Sequence, residues 1–349
     1  MMEAMGTRGR WYRAIGRPVF LSLPPEAAHR VAGAALSLPL PWRRIGGGAF
    51  DPVLETTLAG LPLCNPIGLA AGFDKTCRHL GALGELGFGY VVGGTVTRAP
   101  RAGNPSPRIA RSPARRSMVN AMGLPNPGAE AVDAFLRARP ASDSAVRMVS
   151  IADEAIDDAA TSMDLLEPVV DGVELNASCP NVSWGRDRDN ESHLRTLLTA
   201  LRGRTDKPLF VKLPPFVTEV EREVVLTLAC LAQDAGADGL TCSNTRLVAD
   251  DRLAVGRGGL SGRAMWPHTA RIVCEVAKAT GGDIAITASG GVFTAADVLT
   301  CLDAGATTVQ IYSAFVYGGP GVVGELTSGL ARLVRDRGTN AAPPVLRRG

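Results

Sequence analysis

Eight short apolar runs, each followed by a longer stretch with helical spacing, constrain this chain more than any other feature. The runs are Ile67–Ala71, Tyr90–Val96, Val146–Ile151, Val173–Leu175, Leu209–Leu213, Gly239–Cys242, Ile284–Ala288 and Thr308–Tyr312. Between them lie candidate helices such as Glu191–Arg202, Glu219–Ala235, Pro267–Thr280 and Ala295–Ala304. Runs that are apolar throughout read as parallel strands covered on both faces. Eight such units over about 270 residues predict an α/β fold, a (β/α)8 TIM barrel, rather than a doubly wound sheet. No Gly-x-Gly-x-x-Gly follows the first run, which counts against a dinucleotide-binding fold.

The expected organisation has three parts. Residues 1–45 form an amphipathic helical extension, 46–338 the barrel, and 339–349 a disordered tail. The Pro/Gly/Arg-rich stretch Arg98–Pro127 is too long for a simple connector and reads as a lid over the site. The extension holds seven Arg (8, 10, 13, 17, 30, 43 and 44) against Glu3 and Glu26. Trp11, Val19, Phe20, Leu21, Val31, Leu36 and Trp42 are interleaved, and Pro24-Pro25 splits the segment into two. That pattern fits either a helix pair lying on a membrane surface or a helical cap on the barrel. No apolar run of ~18 residues is present, so no transmembrane helix is expected, and no clean signal peptide stands at the start.

Composition narrows the chemistry. A net charge of +3 is too small to suggest nucleic acid. Seven scattered cysteines without a Cys-x-x-Cys pair suit a reducing compartment and argue against disulfides or a metal site. The chemistry-bearing groups collect where barrels place it, at the C-terminal ends of strands. Gly72-Phe-Asp-Lys75 ends the first run and Thr95 and Thr97 the second. Asn176-Ala-Ser-Cys-Pro-Asn181 follows the fourth, Lys212 stands in the fifth, and Ser243-Asn-Thr245 ends the sixth. A thiol between two carboxamides suits proton removal from a planar polar ring; a buried cysteine in a Pro-Asn turn is the bland alternative. Gly290-Gly291 before a helix, with Tyr312-Ser313 in the last unit, offers backbone N–H groups for a phosphate. With Lys212 and Gly258-Gly-Leu-Ser-Gly262, this points to flavin mononucleotide (FMN) across the barrel mouth.

These residues resemble a known family. Asn65-Pro-Ile-Gly-Leu-Ala-Ala-Gly-Phe-Asp-Lys75, Gly94-Thr-Val-Thr97, Gly103-Asn-Pro-Ser-Pro-Arg108, Asn120-Ala-Met-Gly123, Ser243-Asn-Thr245, Gly258-Gly-Leu-Ser-Gly262, Gly290-Gly-Val292 and Val309-Gln-Ile-Tyr-Ser313 are similar, in order, to motifs of the class 2, quinone-dependent dihydroorotate dehydrogenases. The likeness runs from about residue 15 to 337 and includes Pro25-Glu-Ala-Ala-His-Arg30 of the extension. It implies FMN-dependent oxidation of dihydroorotate to orotate in pyrimidine biosynthesis, with quinone as acceptor, at the cytoplasmic face of the cell membrane or in the cytosol. It implies FMN contacts from Ala71, Gly72, Phe73, Asp74, Lys75, Thr95, Ser150, Asn176, Lys212, Ser243, Ser261, Gly262, Gly290, Gly291, Tyr312 and Ser313. Substrate contacts follow for Lys75, Asn120, Ala121, Met122, Gly123, Leu124, Asn176, Asn181, Asn244 and Thr245, with Cys179 as the base.

The chain departs from the pattern at three places. Class 2 members normally carry serine where Cys179 stands; cysteine resembles the soluble class 1 enzymes. Ser150-Ile-Ala-Asp-Glu154 replaces an Asn-containing segment and adds acid. Pro125-Asn126 and Val182-Ser-Trp-Gly-Arg186 are atypical of their loops. Two alternatives therefore stay open: a paralogue acting on another cyclic amide or enone, and a flavin-binding barrel without turnover.

Overall fold

Eight strands close on themselves in the computed structural model, which describes residues 12–48, 50–139, 145–153, 155–177 and 190–338. In chain order the barrel strands are β1 (Ile67–Leu69), β2 (Tyr90–Val96), β3 (Val146–Ile151), β4 (Gly172–Leu175), β5 (Leu209–Leu213), β6 (Gly239–Cys242), β7 (Ala285–Ser289) and β8 (Thr308–Ile311). Each pairs in parallel with its chain neighbour, and β8 returns to β1 through Val309↔Ile67 and Ile311↔Leu69. This is the (β/α)8 barrel expected from the apolar runs. The first strand stops at Leu69, two residues before the run ends, and Ala70 to Phe73 with Lys75 line the cavity described below.

Helices cover the outside. Thr218 caps Glu219–Asp234 and Thr294 caps Ala295–Asp303, each closing a box with the acid three residues on (Glu221 and Asp297). The main core lies between strands and helices, where Leu83, Val91, Val149, Leu197, Val211, Val276, Val298 and Leu330 are buried. A second cluster fills the lower barrel: Tyr90, Val92, Met148 and Phe210 meet Leu58 and Leu63 of the antiparallel hairpin Thr56–Leu58/Leu61–Leu63. A buried phenol without a partner costs ~1–3 kcal/mol. Tyr90 avoids this through Thr308 Oγ1 at 3.0 Å, itself 2.8 Å from Thr287 Oγ1.

Two expectations change. Arg98–Pro127 is not a free lid. It contains strands Ile109–Ser112 and Ser117–Asn120, which join Arg257–Gly262 and Arg246–Ala249 in a four-stranded antiparallel sheet. The extension folds as Tyr12–Gly16, Arg17–Ser22, Pro25–Leu36 and Trp42–Gly46, but Trp42 is buried with its Nε1 donating to Leu38 O at 3.3 Å. Trp42 therefore belongs to the barrel core rather than to an outer face. Trp11 and the tail 339–349 lie outside the described residues. The extension is pinned to the four-stranded sheet. Glu26 pairs with Arg108 at 2.7 Å, and Arg111 donates to Phe20 O at 2.9 Å and to Leu23 O.

Candidate active site

A cavity of about 480 Å³ lies at the C-terminal ends of the strands and continues between them and the N-terminal helices. That size suits a small organic ligand. Ala71, Gly72, Phe73 and Lys75 line it from the end of β1, and Thr95 from β2. Asn176 comes from β4, Lys212 from β5, and Ser243, Asn244 and Thr245 from β6. Gly290 and Gly291 follow β7, and Tyr312 and Ser313 follow β8. The four-stranded sheet and the loop after it contribute Asn120, Met122, Gly123, Leu124, Ser261 and Gly262. Residues from positions 71 to 313 thus converge because parallel strands all present their C-terminal ends on one rim.

Three of the expected residues stand off the cavity. Asp74 turns into its own loop, its carboxylate accepting from Thr76 N at 3.2 Å, Thr76 Oγ1 at 2.9 Å and His79 N at 2.6 Å. Ser150 is buried behind Thr95, with 3.1 Å between their hydroxyls. Ala121 is buried and its carbonyl accepts from Asn104 Nδ2 at 3.0 Å. Cys179, Asn181, Trp184 and Glu154 lie outside the described residues.

The carboxamides are oriented by one another. Asn244 Nδ2 donates to Asn176 Oδ1 at 3.3 Å, and Asn176 Nδ2 donates to Thr95 Oγ1 at 3.1 Å. Thr245 N donates to Asn244 Oδ1 at 2.8 Å, and Asn120 Nδ2 to Gly259 O at 3.4 Å. Lys75 donates to Gly72 O; burial, reinforced by the charge of Arg108, brings its amine down to about 8. An amine near that value changes charge under ordinary conditions, unlike a free lysine. Tyr312 sits over Gly72 O at 3.4 Å, and burial raises its phenol to about 12, so it stays a neutral donor.

The turn after β7 presents bare backbone. A Cβ on Gly291 would lie 2.5 Å from Trp266 N and 2.9 Å from Gly262 O, so a side chain has no place there. Arg263 fixes this turn, donating to Gly291 O at 3.1 Å and to Asp297 Oδ2 at 2.6 Å. Backbone at Gly290 and Gly291, with Ser313 and Lys212, lines this part of the cavity, and such groups suit a phosphate and a flat polar ring. The residues present fit a flavin mononucleotide.

The unusual segments prove structural where they are described. Asp153 does not bring acid to the cavity: it accepts from Arg98 N at 2.9 Å and Ser162 Oγ at 2.8 Å. Asn126 receives Thr97 N at 3.2 Å and Gly128 N at 2.9 Å, and donates to Leu124 O at 2.9 Å, so it braces the loop carrying Leu124. Several cavity residues were not named as site residues from the sequence. His29 stacks edge-on against Phe73 with centroids 5.5 Å apart, and burial presses its imidazole down to about 4. Phe20, Arg111, Met118 and Met265 also line the cavity. Glu174 was absorbed into an apolar run, although an acid amid Val173 and Leu175 is itself a signal.

Residues 53–334 match the family model described as Dihydroorotate dehydrogenase. A protein of Kineococcus radiotolerans named dihydroorotate dehydrogenase (quinone) is 37% identical over 94% of this chain and 98% of its own length. One from Clavibacter sepedonicus with the same name is 38% identical over 93% of this chain and 100% of its own. Among solved structures, the chain is similar to a DHODH from Eimeria tenella in complex with ferulenol. Its TM-score is 0.81 at 29% identity, covering 92% of this chain and 96% of that one.

Proposed function

Since the chain belongs to the dihydroorotate dehydrogenase family, we propose that it oxidises dihydroorotate to orotate with bound FMN and passes the electrons to quinone. The observation that carries this reading is the convergence of Asn120, Asn176, Asn244, Thr245, Lys75 and Lys212 on one cavity that continues to the N-terminal helices. FMN, when bound, supplies the hydride acceptor at the substrate and the two-electron donor to quinone.

The chain's own residues do the rest. Asn120, Asn176, Asn244 and Thr245 hold the substrate ring by neutral hydrogen bonds, in orientations set by the Asn244–Asn176–Thr95 chain. Lys75 in its charged form attracts the substrate carboxylate. Cys179 takes the proton from the ring carbon beside the carbonyl as thiolate, which requires its thiol to fall below the ordinary value of about 8.5. Gly290, Gly291 and Ser313 would hold the phosphate, and Lys212 would contact the ring. Phe73, Leu260 and Met265 keep water away.

The extension supports a quinone entry at a membrane surface. Ile15, Val19, Val31 and Leu38 are 67%, 55%, 49% and 54% exposed on it, and Arg30, Arg43 and Arg44 are exposed beside them. Apolar groups flanked by arginines bind an anionic bilayer reversibly. No helix among the described residues is long and apolar enough to cross a membrane. In this reading residues 1–45 contact lipid on the outside, close the barrel core through Leu36 and Trp42, and leave the passage lined by His29 and Phe20.

Anaerobic mixing with dihydroorotate tests the function. The flavin absorbance falls with dihydroorotate and not with dihydrouracil, and a ubiquinone analogue restores it. Bleaching by dihydrouracil alone moves the assignment to another cyclic amide; no bleaching by either leaves a barrel without turnover.

A further inference from the structure

Glu174 stands on β4 with its side chain inside the barrel and 1% exposed. Its Oε1 lies 3.2 Å from Lys212 Nζ. Its Oε2 accepts from Thr241 Oγ1 at 2.8 Å and from Gln310 Nε2 at 3.3 Å. Three other strands, β5, β6 and β8, thus place polar groups on this one carboxylate of β4. Lys212 and Gln310 reach the cavity floor above it; Glu174 and Thr241 lie beneath that floor. Burying a carboxylate is unfavourable even when it is paired, and an apolar pair of the same volume often serves stability as well. Stability alone therefore does not account for an ion pair here.

We propose that Glu174 is a positioning residue that holds the Lys212 ammonium at the cavity floor and offsets its charge, and so sets the reduction potential of the flavin. This rests on the flavin reading above. Reduction adds negative charge to the ring. A lone cation below the ring favours the reduced form; a neutral pair favours it much less. A unit charge acting over about 8 Å through an effective dielectric constant of about 20 shifts an equilibrium roughly 30-fold.

The test is the potential of the bound flavin, measured by equilibration with a reference dye. Glu174→Gln keeps the shape, exchanges one acceptor oxygen for an NH2 donor, and removes the charge. It is expected to favour the reduced flavin by at least ~10-fold, a rise of about 30 mV for a two-electron couple. Thr241→Val removes one uncharged donor to the carboxylate, keeps both charges, and should move the potential far less. An unchanged or lower potential in Glu174→Gln, with flavin still bound, overturns the inference alone. Wild-type protein that folds without flavin overturns the functional reading and this inference with it. Because Glu174→Gln leaves a buried ammonium without its partner and can compromise folding, a second measurement uses the unaltered protein. With isotope-labelled glutamate, reduced-minus-oxidised infrared difference spectra should contain a label-shifted carboxylate band, since the charge beside Glu174 changes. A difference spectrum lacking that band refutes the proposal however the variants behave.

Discussion

Gly291→Ala probes the link between local backbone and cofactor retention most directly. The residue sits at φ +71°, and its new methyl would meet Trp266 N at 2.5 Å, Trp266 Cα at 2.9 Å and Gly262 O at 2.9 Å. All three atoms are backbone, so no side-chain rotation relieves the overlap. The left-handed conformation costs an alanine roughly 1–2 kcal/mol, and overpacking adds roughly 1–3 kcal/mol. The turn must therefore move, taking its N–H groups off the phosphate. Loss of one hydrogen bond to a charged group is worth about 1.5–3 kcal/mol, so FMN should bind at least ~10-fold more weakly. For a chain of 349 residues each kcal/mol corresponds to about 1.4 °C of Tm. The expected loss is roughly 3–7 °C in Gly291→Ala. The control is Gly60→Ala, where φ is +84° and no atom lies within 4 Å of the added methyl. It carries the conformational cost alone, so it should lose roughly 1–3 °C and bind flavin normally. Flavin fluorescence titration of the apoprotein and melting curves read both. Equal melting losses in the two variants, with unchanged flavin affinity in Gly291→Ala, would refute the reasoning.

Three further outcomes follow. Cys179→Ala should keep its flavin but slow reduction by dihydroorotate ~10²-fold or more, while Cys179→Ser retains some rate with an optimum at higher pH; stopped-flow absorbance checks both, and wild-type rates in the alanine variant would remove Cys179 as base. Lys75, lowered to about 8 by burial, is charged below that pH and neutral above it; KM for the anionic dihydroorotate should therefore climb as pH rises through about 8, and Lys75→Met should abolish that inflection, which steady-state pH profiles will show. Val31→Glu and Leu38→Glu alter exposed positions on the extension and spare Trp42 and Leu36 in the core; vesicle flotation and ubiquinone-linked turnover should both fall while reduction by dihydroorotate stays at the wild-type rate, and a variant that still floats would make the segment a structural cap.

Legibility differed by the kind of residue. Lys75, Thr95, Asn176, Lys212, Ser243 and Tyr312 all line the cavity; each sits within or just after the C-terminal part of an apolar run, and parallel topology sends those ends to one rim. Asp74, Ser150 and Ala121, named through the family resemblance, stand off the cavity. Neighbours one residue apart on a turning chain can face opposite ways, and spacing does not say which side chain folds back onto its own loop. The strand Ser117–Asn120 was hidden because its partner Arg257–Gly262 is some 140 positions away, and Ile109–Ser112 pairs with Ser117–Asn120; each is too short to show a period of its own.

Local pattern therefore determined the strand count, the parallel order, the helix starts at Thr218 and Thr294, and which end of the barrel carries chemistry. These follow from hydrophobic periodicity and capping, which act within a few residues. Long-range packing decided the rest. Trp42, set in an arginine-rich segment that suits an interface, is drawn into the core by the barrel's outer wall. His29 and Arg111 reach the cavity because Arg108 and Glu26 dock the extension there. Glu174, unremarkable within its run, gains an ammonium, a hydroxyl and an amide from three other strands. Burial and charge pairing depend on what arrives from elsewhere in the chain, and nothing in a residue's own neighbours along the sequence records that.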